Sequence, residues 1–274
     1  MVGGVAGNRT PSIVSPRIAG SAISQAMDFT DDAIVLSTRR HGEANLVLSA
    51  LTKEHGRHLG LVKGGASRRQ RPNLEIGNRL VVTWRARLEE QLGNFTFEPT
   101  GSVSAQLLDD PLRLAGLAST CAVADIVLPE REPHEAAYEG ADALLDAIAD
   151  HDFADWAPLF VHWEIGLLNE LGFGLDLARC AATGTGDDLI YVSPRTGRAV
   201  SREAGEPYRD RLLSLPAFLL GRQAGDPRAG DLRAGLQLTA HFLDQWLLMP
   251  HDKMMPEART RLTDLAARAA TESA

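Results

Sequence analysis

Cysteine is nearly absent from this chain of 274 residues, which has only Cys121 and Cys180. Two thiols cannot make a disulfide-stapled scaffold, so a reducing, cytoplasmic setting is expected. No apolar run is long enough to span a bilayer. Residues 1–26 contain no acid, two Arg and many Gly, Ser and Ala. They lack the apolar core of a secretory signal, and Pro11, Pro16 and Gly20 interrupt any amphipathic helix, so a disordered extension is expected. The Gly-rich stretch from Thr183 to Asp188 lacks the Lys-Ser or Lys-Thr ending of a phosphate loop, which excludes an ATPase reading. His241, Asp244, His251 and Asp252 have neither the spacing of a His-Glu-x-x-His zinc helix nor a partnered nucleophile, and capping and surface roles explain them.

What the chain does have is charge, unevenly placed. The whole carries a net charge of -8. Between Lys53 and Arg87, however, nine basic residues face two acids, Glu54 and Glu75, while residues 101–274 hold 27 acids against 15 Lys or Arg. A charge run is most often a solvated face, but its arrangement here points further. Read as a strand, the segment from Arg79 sends Leu80, Val82, Trp84 and Ala86 to one side and Arg79, Val81, Thr83, Arg85 and Arg87 to the other. One side is a core and the other a row of guanidinium groups, whose planar fork suits phosphate oxygens. A Gly-rich basic loop, Gly64 to Pro72, precedes it and reads as flexible. Arg57, Lys63, Arg68, Arg69, Arg71, Arg79, Arg85 and Arg87 are therefore the candidate nucleic-acid contacts. His55 and His58 lie in the same stretch and are explained equally by turn and strand packing.

Length and a hydrophobic content of 44% suggest two domains. Residues 27–100 read as five short strands, Ala33–Arg39, Leu46–Thr52, Arg57–Lys63, Arg79–Ala86 and Gln91–Glu98, separated by turn signals that include His41-Gly42, His55-Gly56 and a turn near Glu89. Five such strands fit an OB-fold barrel. Trp84 has inward parity and Phe95 and Phe97 share a core-like face, so no base-stacking platform is expected and contacts should go mainly to the backbone. From 101 to 274 the spacing turns helical. Helices are expected from Asp109-Asp110-Pro111 to Leu128 with Cys121 in the core, then over His134–Ala149, Asp155–Leu171, Pro216–Arg222, Asp231–Met249 and Pro256–Ala270. An irregular insert occupies residues 175–208. The fold class is α+β, a five-stranded barrel followed by a helical bundle.

Several residue blocks in order, Met27-Asp28, Ile34-Val35-Leu36, Arg40-His41-Gly42-Glu43, Leu51 to Gly56, Lys63-Gly64, Gly77-Asn78 and Trp84 to Arg87, make the chain resemble the RecO family of bacterial recombination mediators from Met27 onward. The resemblance implies an OB-fold followed by a helical bundle, no covalent catalysis, and a nucleoid-associated role. It also implies binding of single- and double-stranded DNA, strand annealing, and action with RecR, in many bacteria also RecF, to load RecA on DNA coated by single-stranded DNA-binding protein. Many relatives carry a four-cysteine zinc module at the insert. Here it is reduced to Cys180 with Thr183 and Ser201 with Ala204, too few ligands for a tetrahedral structural zinc, so no cofactor is expected. For the acidic tail of the single-stranded DNA-binding protein the expected anchors are Arg113, near the start of the first helix, and Arg131 at its far end, although pairing of Arg113 with Asp109 or Asp110 explains it equally well. A second reading stays open, an acidic adaptor whose barrel holds RNA or a protein partner.

Overall fold

A computed structural model describes Met1 and residues 27–88, 91–103, 107, 109–221 and 228–272. The expected disorder of the extension and the turn at Glu89 fall outside the described residues. Strands β1 (Met27–His41), β2 (Asn45–Thr52), β3 (Gly56–Val62), β4 (Arg79–Ala86) and β5 (Gly93–Gly101) close into a barrel of order β1-β2-β3-β5-β4. β1 makes closure possible because it is long enough to serve two partners. Its first half pairs with β4, from Met27 opposite Ala86 to Ile34 opposite Arg79, and its second half pairs with β2 up to His41 opposite Asn45. A bulge between Val35 and Ser37 lets it bend around the barrel. Spacing alone starts this strand at Ala33. The six earlier residues, with Asp28, Asp31 and Asp32 among them, become strand because β4 supplies backbone partners that outweigh the low strand propensity of Asp.

The barrel interior holds Ala33, Val35, Leu48, Leu80, Val82, Trp84 and Phe95, and the Trp84 indole N–H donates to the Leu59 carbonyl at 3.0 Å. The opposite faces of β1 and β2 are not all wet. Ile34, Leu36 and Leu51 point outward and join the core of the helical region, so both regions share one apolar interior. That region comprises α1 (Pro111–Val127), α2 (Glu135–Asp150), α3 (Phe153–Glu170), the single turn α4 (Arg202–Gly205), α5 (Ala229–Phe242) and α6 (Glu257–Glu272). α1 starts where Pro111 supplies the first helical φ and Asp110 accepts from the Leu112 and Arg113 amides at 2.9 and 3.1 Å.

Three expected elements differ. The helix expected over Asp231–Met249 stops at Phe242 and continues as a π-helical segment, Leu243–Leu248, then a 3-10 turn closed by Asp252 at φ 54°. The wider turn keeps Leu243, Leu247 and Leu248 buried. The segment expected as a helix from Pro216 is one 3-10 turn, Ala217–Leu220, ended by Gly221 at φ 62°. The insert is not irregular throughout. Its β6 (Leu189–Val192) and β7 (Ala199–Ser201) form a small antiparallel sheet with β8 (Leu213–Ser214) just beyond it, with strands too short for alternation to be legible.

Inside the bundle, Glu164 of α3 and Arg259 of α6 form an ion pair with no exposed side-chain surface. Arg259 Nε and Nη2 donate to the two carboxylate oxygens at 2.6 and 2.9 Å. Its other donors reach the Leu236 carbonyl and Thr263 Oγ1, while the Thr239 hydroxyl also donates to Glu164. Every charge is matched, which is the condition for burying such a pair.

Barrel and bundle are tied by backbone as well as side chains. Gly56 has φ 74°, and a Cβ there would fall 1.8 Å from the Glu132 carbonyl oxygen, so only glycine allows this approach. The Arg131 amide donates to the Arg57 carbonyl at 2.8 Å. Asp125 of α1 accepts from Ser37 Oγ at 2.8 Å and Ser49 Oγ at 2.5 Å, linking two barrel strands to one helix. Asp125→Ala is expected to lower unfolding free energy by about 2 kcal/mol, because two hydroxyl-to-carboxylate bonds are lost. A urea midpoint equal to that of the parent would show that these bonds contribute nothing.

Candidate nucleic-acid interface

β4 folds with the parity its sequence dictates: Arg79 and Arg85 face outward, and Arg87, just past the strand, is exposed. Outward, however, means toward α2 at one end and toward solvent at the other. Arg79 opens the strand beside α2, where its guanidinium bonds the Asp142 carboxylate, and Nη2 donates to the Asp142 carbonyl at 2.8 Å and to Asp146 at 2.7 Å. Burial alone would lower its pKa, but the Asp142 and Asp146 contacts prevail and raise it. Arg57 is likewise engaged, donating from Nε to the Leu128 carbonyl at 2.9 Å and lying 3.4 Å from Asp125. Both leave the set of expected phosphate contacts and become links between barrel and bundle. Parity could not reveal this, because it says which side a residue faces and not what covers that side.

The remaining six stay exposed: Lys63, Arg68, Arg69, Arg71, Arg85 and Arg87. Arg85 keeps 73% of its side-chain surface, with Asp28 at 3.8 Å as a loose neighbour. Two residues missed on the sequence join them, Arg39 and Arg40, exposed where β1 runs into the His41-Gly42 turn. Their signal was that turn, which places the strand end beside the basic loop. Arg40 and Arg71 line one small concavity. Arg39 falls in a cross-strand row that runs through Val47, Leu61 and Asn94 to Arg85.

The basic loop is not the flexible tether its glycines suggest. Ser67, Gln70, Arg71 and Asn73 amides close successive turns, and the Ala66 amide donates to the Ala44 carbonyl at 3.0 Å, pinning the loop to the β1–β2 turn. Buried Asn78 holds its far end by donating to the Pro72 and Asn73 carbonyls at 2.9 and 3.3 Å. Arg68, Arg69 and Arg71 are thus presented from a fixed frame, which reduces the ordering cost of binding phosphate.

The barrel rings are packed on one another at the opposite end of β1. Phe29 stacks on His55 at 4.0 Å and lies 5.6 Å from Trp84, with His58 edge-on to both Phe29 and Trp84. His55 Nδ1 lies 2.8 Å from Asp31. Burial, together with the charge of Arg131, brings the His58 imidazole down to about 4, although its contact with the Gly56 carbonyl works the other way. It is therefore a neutral core residue at pH 7. Trp84 and Phe95 are buried and Phe97 half-buried, so among the described barrel residues these rings are committed to packing.

The two expected partner anchors are also engaged. Arg113 lies 3.3 Å from Asp110 and 3.4 Å from Asp152, and donates to the Ala149 carbonyl at 2.9 Å. Arg131 is not on α1, which ends at Val127. It lies beyond, at φ 63°, with its guanidinium 5.5 Å from the Trp84 ring centre and bonded to the Gln91 carbonyl at 2.9 Å.

In the insert, buried Cys180 accepts from the Ser201 amide and hydroxyl at 3.3 and 3.4 Å. Burial pushes this thiol up, but hydrogen bonds from Ser201 and Thr183 outweigh it and bring it down to about 6. The sulfur is surrounded by hydroxyls and amides, and those residues do not fit a zinc ion, which needs four thiolate or imidazole ligands in a structural site. Among the described residues no three His, Cys, Asp or Glu side chains converge as metal ligands would. Among them also, no helix is long and apolar enough to cross a membrane.

Comparison with known proteins agrees with this geometry. The family model described as Recombination protein O N terminal matches residues 27–103, and Recombination protein O C terminal matches residues 108–255. The chain is 55% identical to the DNA repair protein RecO of Rhodospirillum centenum over 90% of this chain and 98% of that one. It is 53% identical to its counterpart in Phenylobacterium zucineum, over 87% and 97% of the two chains, and 49% identical to that of Caulobacter vibrioides, over 89% and 99%. A closed five-stranded barrel, a following helical region and similarity over nearly the whole length lead to one conclusion: the chain belongs to the RecO family of DNA repair proteins.

Proposed function

We propose that this protein binds single- and double-stranded DNA through the exposed end of its barrel and acts, without covalent catalysis, as a recombination mediator. In that role it anneals strands and, with RecR and with RecF where present, loads RecA on DNA coated by single-stranded DNA-binding protein. The observation that carries the reading is the division of the basic residues. Those near the bundle, Arg57 and Arg79, are bound to its acids, while Arg39, Arg40, Lys63, Arg68, Arg69, Arg71, Arg85 and Arg87 are exposed on the barrel. A protein of net charge -8 that keeps eight cations on one small barrel is suited to a polyanion, and backbone contacts of this kind read charge and shape more than sequence.

Titrating labelled single-stranded DNA at several salt concentrations tests the first half. With six to eight phosphates contacted, the slope of log affinity against log salt is expected near -4 to -6, on the order of 0.7 per phosphate. Binding that is undetectable at low salt, or indifferent to salt, would favour the other reading, an adaptor whose barrel holds a protein. RecA filament formation on DNA precoated with single-stranded DNA-binding protein, with and without this chain, tests the second half. No acceleration in the presence of RecR would remove the mediator role while leaving DNA binding intact.

A further inference from the structure

The small concavity at the basic end of the barrel has an acid between its arginines. From Lys53 to Arg87 the chain holds only two acids, and one of them, Glu75, lines the same concavity as Arg40 and Arg71. All three side chains are exposed. Among the described residues, no ion pair or side-chain hydrogen bond engages either guanidinium group or the carboxylate. Donors and an acceptor therefore border one small space with their bonding capacity unused.

The space is already formed in the free protein. β1 supplies one side through Arg40, and the basic loop supplies the other through Ala66, Arg71, Leu74 and Glu75. The loop is held at both ends, by the Ala66 amide on the Ala44 carbonyl and by Asn78 on the Pro72 carbonyl. Between these ties the 3-10 turn Arg71–Leu74 sends Leu74 inward, where it and Leu46 make a buried apolar floor. The volume is about 180 Å³. A cavity of roughly 150 Å³ takes benzene, so there is room here for one six-membered ring with its substituents, and none for a helix or a base pair.

A phosphate suits this space poorly, since it would lose water against leucine and face the Glu75 carboxylate. A flat ring with a polar edge suits it well. Cytosine carries an exocyclic amine that donates, beside two acceptors, so Glu75 can take the amine while the arginines donate to the acceptors or lie over the ring. Thymine has a carbonyl in place of that amine and would set oxygen against oxygen. A purine adds a second fused ring, more than this volume covers.

We infer that this concavity is a socket for one unpaired cytosine of a bound single strand, with Glu75 accepting from its amine and Arg40 and Arg71 holding the ring and its flanking phosphates. The inference rests on the reading of the barrel end as a DNA-binding surface and adds one base contact to it. Duplex pairing hides the same edge of the base, so the socket serves single strands and releases its base when the strand pairs.

The test compares three single strands of about twelve nucleotides, within the site size of one OB-fold. One is all cytosine, one all thymine, and one abasic with the same phosphates. At neutral pH and fixed salt the cytosine strand should bind at least fivefold more tightly than the thymine strand and at least tenfold more tightly than the abasic one. Glu75→Gln, whose amide can serve either base, should bring the cytosine-to-thymine ratio near one at the parent's melting temperature. Glu54→Gln removes the other acid of the stretch, outside the concavity, and should keep the parent's ratio. The ratio is the readout because losing a negative charge raises affinity for every strand. Equal binding of the three strands overturns the socket alone, as does a preference that survives Glu75→Gln or is lost equally in Glu54→Gln. Failure of all three strands to bind at low salt overturns the reading of the barrel end and the socket with it.

Discussion

Replacing Arg68, Arg69 and Arg71 together with Glu is expected to lower affinity for single-stranded DNA by at least two orders of magnitude near physiological salt. Three phosphate contacts are lost and three repelling charges are introduced, so the slope of log affinity against log salt should also flatten by about 0.7 per contact, roughly two in all. The variant should still fold, because the loop is held by its own backbone turns and by Asn78, and none of the three guanidinium groups forms an ion pair among the described residues. Arg79→Glu is the informative contrast. It reverses one charge in the same basic stretch, yet it would set a carboxylate against Asp142 and Asp146, and its main effect should be a lower melting temperature. If the triple variant keeps the parent's affinity and slope, phosphate is bound elsewhere.

The largest loss of stability is expected from Arg259→Met. The substitution removes every donor that Arg259 gives to Glu164 and leaves that carboxylate in the bundle interior with the Thr239 hydroxyl as its remaining partner. Breaking one side of a buried pair costs about 3–5 kcal/mol. The urea midpoint should fall accordingly with little change in slope. Changing Glu164→Leu in the same chain should recover much of the loss, since two apolar side chains have no charge to desolvate. No recovery in the double variant would mean that Arg259 contributes through shape and its contact with the Phe160 ring instead of through charge.

These two residues also show where the sequence stops being legible. Glu164 sits among Phe160, Val161, Trp163, Leu167 and Leu168, and nothing in α3 alone says which distant helix supplies its counter-ion. Arg57 and Arg79 read as phosphate contacts for the same reason, since their acidic partners lie 63 or more positions away. What could be read was periodic and local: the inward set of β4, the cap at Asp110, the turns between strands and the class of the fold. What could not be read was conferred by partners. The start of β1 depends on β4, the firmness of the basic loop depends on Asn78 and on the neighbouring turn, and the short strands of the insert depend on one another.

The outward placement of Ile34, Leu36 and Leu51 in the core of the helices has a mechanical consequence. A barrel that merely hung from a linker could swivel, and tension on a bound strand would be absorbed by that joint. Here the backbone of β1 runs unbroken from the arginines at its end to residues embedded against α1, and Asp125 fastens the adjoining strands to the same helix. Interiors packed this way have low compressibility and pass strain on. On the proposed reading of the barrel end, a pull on a bound strand is expected to reach α1 through this shared core instead of being absorbed at a joint.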